Sequence, residues 1–195
     1  MINRVTVYCS SSAAIPKKYF DATRALAKAL VANNIEAVFG GGAVGLMGAL
    51  ADTMVAGGGK IKGIMPTFMK DVEWAHPLVT DFEFVPDMAE RKHRFLIDTD
   101  ALIALPGGTG TYEELFEAMS LKRLGKFHHP IVVLNTDGFY DPIKAQMQKC
   151  IDEKFMHPRH ADIWTVVDEP DQVLPSIRET ALWDADAIEF ATLRE

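Results

Sequence analysis

An α/β fold, with a doubly wound parallel sheet covered by helices on both faces, is predicted by three features of this sequence. Short apolar runs alternate with longer amphipathic stretches from one end of the chain to the other, the pattern of repeated strand–helix units. Several runs, Ala101-Leu102-Ile103-Ala104-Leu105 above all, are apolar throughout, as in strands buried on both faces. The length, 195 residues, suits one domain with a sizeable core, and no repeat, low-complexity tract or linker divides it.

In chain order, the strands are expected at Val5–Tyr8, Glu36–Phe39, Lys60–Met65, Glu83–Val85, Ala101–Leu105, Ile131–Leu134 and Ile163–Val167. Helices are expected at Lys17–Asn33, Gly45–Ala56, Met88–Asp98, Thr111–Leu124, Tyr140–Glu153 and Gln172–Arg178. The result is a Rossmann-like single domain over residues 1–183, with a C-terminal tail from 184 to 195. In such a sheet, function sits beyond the carboxyl ends of the strands. Three loops there are small, polar or glycine-rich, and each leads towards a helix start: Cys9-Ser10-Ser11-Ser12, Gly40 to Gly48, and Pro106 to Thr111.

Bulk composition narrows the partners. Net charge is -7, which disfavours non-specific binding to a nucleic-acid polymer. It leaves room for a small anion, which backbone N–H groups and one or two cations can hold. No run approaches 18 apolar residues, so no membrane span is expected. Cys9 and Cys150 form no Cys-x-x-Cys motif, and the first residues read as a strand rather than a signal peptide. These point to a cytoplasmic protein.

A strand, a glycine-rich turn and a helix N-terminus together make an anion site. The first helical N–H groups lack intrahelical partners, and the helix dipole adds about 0.3–1 kcal/mol for a charge at an exposed site. Tight packing is the competing use of such glycines. Two such loops in one small domain favour a phosphorylated ligand. Gly40, Gly42 and Gly45 match the dinucleotide fingerprint in spacing, with Gly41 beside them, but they follow the second strand, and Asp71 is a poorly placed acidic partner. Neither loop ends in the Gly-Lys-Ser/Thr of a nucleotide-triphosphate loop.

Thr111-Tyr112-Glu113-Glu114 opens a helix and reads first as a capping box, Thr111 as N-cap and Glu114 three residues on. The helix pattern pulls the other way. Glu114, Ala118 and Leu121 share a rather apolar flank, where a carboxylate beside a phosphate loop suits acid–base chemistry. Glu90, Arg91, Lys92 and Arg94 read as a charged helix face, or Arg91 as a planar fork for phosphate or ribose oxygens. His76, His93, His128, His129, His157 and His160 have no recognised metal-ligand spacing and read as surface or packing residues. Cys9 reads as buried rather than nucleophilic.

These motifs resemble the Lonely Guy family of cytokinin-activating phosphoribohydrolases, proteins often mislabelled as lysine decarboxylases. The carrying residues are Pro106-Gly107-Gly108-Thr109-Gly110-Thr111-Tyr112-Glu113-Glu114, the upstream Gly40–Gly48 segment and Met88-Ala89-Glu90-Arg91-Lys92 between them. The likeness runs from the first strand to about residue 156. It implies a homodimer with the site near its interface and hydrolysis of a nucleoside 5′-monophosphate to free base and ribose 5-phosphate, with no metal and no cofactor. By motif position, Arg91 and Glu114 are the implied catalytic pair. Gly107, Gly108, Thr109, Gly110 and Thr111 are the implied phosphate cradle. Glu73, Lys92, Glu113 and Ser120 are further implied substrate contacts, and Gly41, Gly42 and Gly45 form a secondary glycine loop. The first loop departs from the family's Cys-Gly-Ser-Ser, and the segment around Glu73 also differs. Two other classes stay open: a nucleotide-binding protein that does not hydrolyse, and a nicotinamide-dependent oxidoreductase.

Overall fold

The computed structural model describes residues 1–70 and 75–192. Seven strands, all parallel, form one sheet: β1 (Arg4–Tyr8), β2 (Glu36–Phe39), β3 (Ile61–Pro66), β4 (Asp81–Val85), β5 (Ala101–Ala104), β6 (Ile131–Leu134) and β7 (Thr165–Val167). Their spatial order is β4-β3-β2-β1-β5-β6-β7. The order reverses between β1 and β5, which pair in register from Val5 with Ala101 to Tyr8 with Ala104. A crevice opens at such a reversal because the connections leave it in opposite directions.

Among the described residues six α-helices cover the sheet: α1 (Lys17–Ala32), α2 (Gly45–Ala56), α3 (Met88–Leu96), α4 (Thr109–Arg123), α5 (Asp141–Asp152) and α6 (Val173–Glu179). Period-two alternation along the strands splits the core into two layers. On one face Val5, Val7, Ile103 and Leu105 meet Leu26, Leu30, Leu50, Met54 and Ile177 from α1, α2 and α6. On the other, Tyr8, Leu102 and Ala104 meet Phe95, Leu115 and Met119 from α3 and α4, with Ile143 and Met147 of α5 at the margin. Thr6 would be a polar gap in a buried strand, but its hydroxyl donates to the Phe95 carbonyl at 2.6 Å.

Most expected boundaries shift by one or two residues, and two of the shifts change a reading. The capping box with Thr111 as N-cap is not formed: α4 starts at Thr109, Gly108 is its N-cap, and Thr111 is buried inside the first turn. Residue Ile163 leaves the last strand for a 3-10 turn over Pro158–Ile163, whose start is closed by reciprocal His157 and His160 side chains. The segment from Asp184 carries a 3-10 turn at Ala187–Phe190. The Arg123 guanidinium holds it by donating to the Ala191 carbonyl, and Arg159 pairs with Asp184 at 2.8 Å.

Candidate active site

The crevice between β1 and β5 holds a cavity of about 430 Å³. That volume lies in the range of small-molecule sites. Its floor is the end of β1, Tyr8 to Ser12. One wall is Gly40, Met47, Met69, Met88 and Arg91, and the other is Gly108 to Thr111 with Glu114. The three loops singled out in the sequence therefore converge.

Arg91 reaches the cavity from the first turn of α3. Asp87 caps that helix by accepting from the Glu90 N–H at 2.8 Å. The Arg91 side chain then lies back over β3 and is 5% exposed. Its Nε donates to the Ile64 carbonyl at 3.1 Å and its Nη2 to the Gly40 carbonyl at 3.2 Å. Phe95 packs beneath the guanidinium carbon at 5.2 Å. A Cβ at position 40 would run into Arg91 Nη2 and Met47 Sδ, so a larger residue there would displace the guanidinium. Thus Gly40 serves the site by admitting the arginine.

Glu114 reaches the cavity from α4. It follows Gly110 by four residues and Thr111 by three, so all three lie on one helix face. Glu113 lies on the adjoining face with Glu117. The charges of Glu114 and Arg91 are both felt at the floor. Burial pushes the Cys9 thiol far up from its usual range, with Glu114 adding to the rise and Arg91 opposing it. The Tyr8 phenol is raised well above its usual range by burial first, then by Glu114 and Glu117, again against Arg91. A thiol held neutral in this way is a poor nucleophile.

The cradle is open. Gly108 and Gly110 would carry a Cβ into empty space, so neither is glycine for the sake of protein packing. Gly108 gives the first turn of α4 no side-chain cap. The N–H groups of Thr109, Gly110 and Thr111 have no protein acceptor among the described residues. Gly107, one residue earlier, packs its backbone against the Thr111 side chain.

The second glycine loop is closed. The N–H groups of Leu46 and Met47 both donate to the Ser10 carbonyl, at 2.9 and 3.3 Å. Gly45, at φ +66°, lies so close to the Ser10–Ser12 backbone that a Cβ would sit 2.5–2.8 Å from it. Gly41, at φ +86°, faces Phe82, while Gly42 bridges to Ala75. These glycines lock α2 to the first loop, and the helix end a dinucleotide would need is occupied.

The other expected site residues lie apart. Lys92 points away from the cavity to Glu113 and Glu117. Ser120 is exposed, further along α4. Glu73 and Asp71 lie outside the described residues. Met47, Met69 and Met88 were not anticipated as cavity lining. Methionine has no polar signature, and only a position just past a strand end would have marked them. Among the described residues no cluster of three His, Cys, Asp or Glu could hold a metal ion.

A family model described as possible lysine decarboxylase matches residues 47–177. A rice protein (Oryza sativa subsp. japonica) named as a probable cytokinin riboside 5′-monophosphate phosphoribohydrolase is 38% identical over 176 residues, covering 90% of this chain and 72% of its own. An Arabidopsis thaliana protein named as a cytokinin riboside 5′-monophosphate phosphoribohydrolase is 35% identical over 178 residues, covering 91% and 83%. Among solved structures, the molybdenum cofactor binding protein from Rippkaea orientalis superposes with a TM-score of 0.69 at 17% identity, covering 91% of this chain and 96% of its own. That likeness is one of fold.

Proposed function

The chain belongs to the Lonely Guy family of cytokinin riboside 5′-monophosphate phosphoribohydrolases, and on that premise we propose that it hydrolyses the N-glycosidic bond of a nucleoside 5′-monophosphate. The observation that carries this reading is the meeting of Arg91, Glu114 and an uncapped glycine turn around one cavity.

The 5′-phosphate docks on the turn from Gly108 to Thr111, where free N–H groups and the positive helix end face it. This fixes the ribose with binding energy remote from the bond that breaks. As the C–N bond lengthens, positive charge grows on the anomeric carbon and ring oxygen. The Glu114 carboxylate stabilises that charge and takes a proton from the attacking water. The water oxygen bonds to the anomeric carbon, the bonding pair leaves with the base, the base takes a proton from solvent, and Glu114 returns its own to solvent. Arg91, fixed by two carbonyls, orients the substrate. Glu73 is carried as a further substrate contact on the resemblance alone.

The reading extends to a homodimer with the site near its interface, supported by the family likeness. It also extends to a cytoplasmic location, supported by two free cysteines, one of them buried. Among the described residues no helix is long and apolar enough to cross a membrane.

The test is incubation of the full chain with a panel of nucleoside monophosphates, AMP and a cytokinin riboside monophosphate included, followed by chromatography of the products. Free base and ribose 5-phosphate in equal amounts are expected. Nucleoside plus inorganic phosphate would overturn the reading. Tight AMP binding without base release across the panel would leave a nucleotide-binding protein instead.

A further inference from the structure

The two groups placed across the cavity ride on helices with different supports. Helix α3, with Arg91, packs on β3 and β4, whereas α4, with Glu114, packs on β1. Their separation therefore depends on what ties one helix to the other.

Lys92 follows Arg91 by one residue. Its side chain is 17% exposed, and its Nζ lies 2.9 Å from Glu113 Oε1 and 2.9 Å from Glu117 Oε2. Glu113 and Glu117 are four residues apart, so they present one face of α4 to the ammonium. The Glu117 oxygen is buried, and the ammonium 2.9 Å away is the charge that compensates it. We propose that Lys92, Glu113 and Glu117 form a positioning strut that sets the distance between Arg91 and Glu114.

The strut is attached one residue away from each of the two groups. A step of one residue turns about 100° around a helix axis. Arg91 and Glu114 can thus face the cavity while Lys92 and Glu113 face each other beside it. The two carboxylates, Glu117 first, hold the Lys92 ammonium above its usual range. The link therefore persists through neutral pH. A partly exposed ion pair of this kind adds little to global stability. Its influence is geometric, since a displacement of about 1 Å at a reacting pair costs roughly 100-fold in rate.

This inference rests on the functional reading above, and the experiment separates the two. Full-length Lys92→Met, Lys92→Arg, the double variant Glu113→Gln/Glu117→Gln and the triple variant Lys92→Met/Glu113→Gln/Glu117→Gln are compared with the parent. The readouts are kcat and KM for base release, the dissociation constant of ribose 5-phosphate, and Tm. A strut predicts that Lys92→Met and the double variant each lower kcat by roughly 10- to 100-fold. KM and the ribose 5-phosphate affinity then stay within about threefold of the parent, as expected when only a transition-state arrangement is lost. The triple variant is no worse than Lys92→Met, as expected for groups that act as one unit. Lys92→Arg recovers most of kcat, because guanidinium also bridges two carboxylates. Weakened ribose 5-phosphate binding in Lys92→Met with kcat kept would make the lysine a ligand contact and overturn the strut. Full kcat in the double variant would also overturn it. If the parent itself releases no base, the functional reading falls and the strut falls with it.

Discussion

The two glycine loops share a sequence style and differ in use. Both follow a strand and open a helix. In the 40–48 loop the first-turn N–H groups of α2 are spent on the Ser10 carbonyl, and Gly45 has backbone on the side where a Cβ would stand. In the 106–111 loop the first turn of α4 is uncapped, and Gly108 and Gly110 face open space. A glycine that packing requires and a glycine that packing does not require look alike in sequence. They separate once the volume beside each is known, and the second kind marks where something else approaches.

Substitutions can break or sharpen this contrast. The largest effect is expected on the open side. Glu114→Gln keeps the shape of α4 and removes the carboxylate charge, so base release should fall by about 10²–10⁴-fold. Its Tm should stay within about 2 °C of the parent, as for a change well away from the core packing. Turnover near the parent's would remove Glu114 from the reaction. On the closed side, Gly45→Ala adds a residue strained at positive φ and a clash with the first loop. The strain costs about 1–2 kcal/mol and the overpacking about 1–3 kcal/mol. At about 2–4 °C per kcal/mol for a chain of this size, the melting temperature should drop by roughly 10 °C. An unchanged Tm would contradict the closed description.

Gly108→Ala should do the reverse. Its φ of -96° suits alanine, so stability should change by no more than about 0.5 kcal/mol. The new methyl intrudes where phosphate sits, and KM should rise about tenfold, the equivalent of about 1.4 kcal/mol. A large loss of Tm with KM unchanged would make the two loops alike after all.

The smallest effect concerns the conditions of comparison. Burial lowers Lys122 to about 8, and burial lowers His160 to about 4, with Arg123 and His157 adding to the shift. Above pH 8 the folded lysine sheds its proton before the unfolded one, so stability rises with pH towards 10.5. Below pH 6.5 the unfolded histidine takes a proton that the folded one refuses, so stability falls as pH drops towards 4. Each limb has a slope of at most about 1.4 kcal/mol per pH unit. Between pH 6.5 and 8 neither group titrates differently in the two states, and Tm should be level with respect to both. His160→Gln should flatten the acid limb. An acid limb unaltered in that variant would place its source elsewhere.

Much of the fold is legible in the sequence because its signals are local. Apolar runs such as Ile131–Leu134 can hardly be anything but buried strands beside Gly and Pro punctuation. Thr111 misled because a Thr-x-x-Glu spacing matches a capping box, while the actual cap, Gly108, acts through its backbone. The site was half legible. Glycine and carboxylate spacing marked the α4 side, and the charged start of α3 marked Arg91. The partners of Lys92 were not legible. Its partners Glu113 and Glu117 are distant in sequence, and adjacent basic residues give no sign of which turns inward. The methionine wall was silent for the same reason: its members come together only through the crossover from β2 to β3 and on to α3.

The pairing of β1 with β5 sets a condition on when the protein can work. Val5 is joined to Ala101, and the floor of the cavity from the first loop waits for a wall made roughly a hundred residues later. In a chain emerging from its N-terminus, β1, α1, β2 and α2 are synthesised long before β5, the strand that pairs with the other edge of β1. Long-range closure of this sort is slow relative to local helix formation. Binding ability therefore requires β5 beside β1, and a chain that ends before that strand lacks the wall of the cavity opposite the first loop.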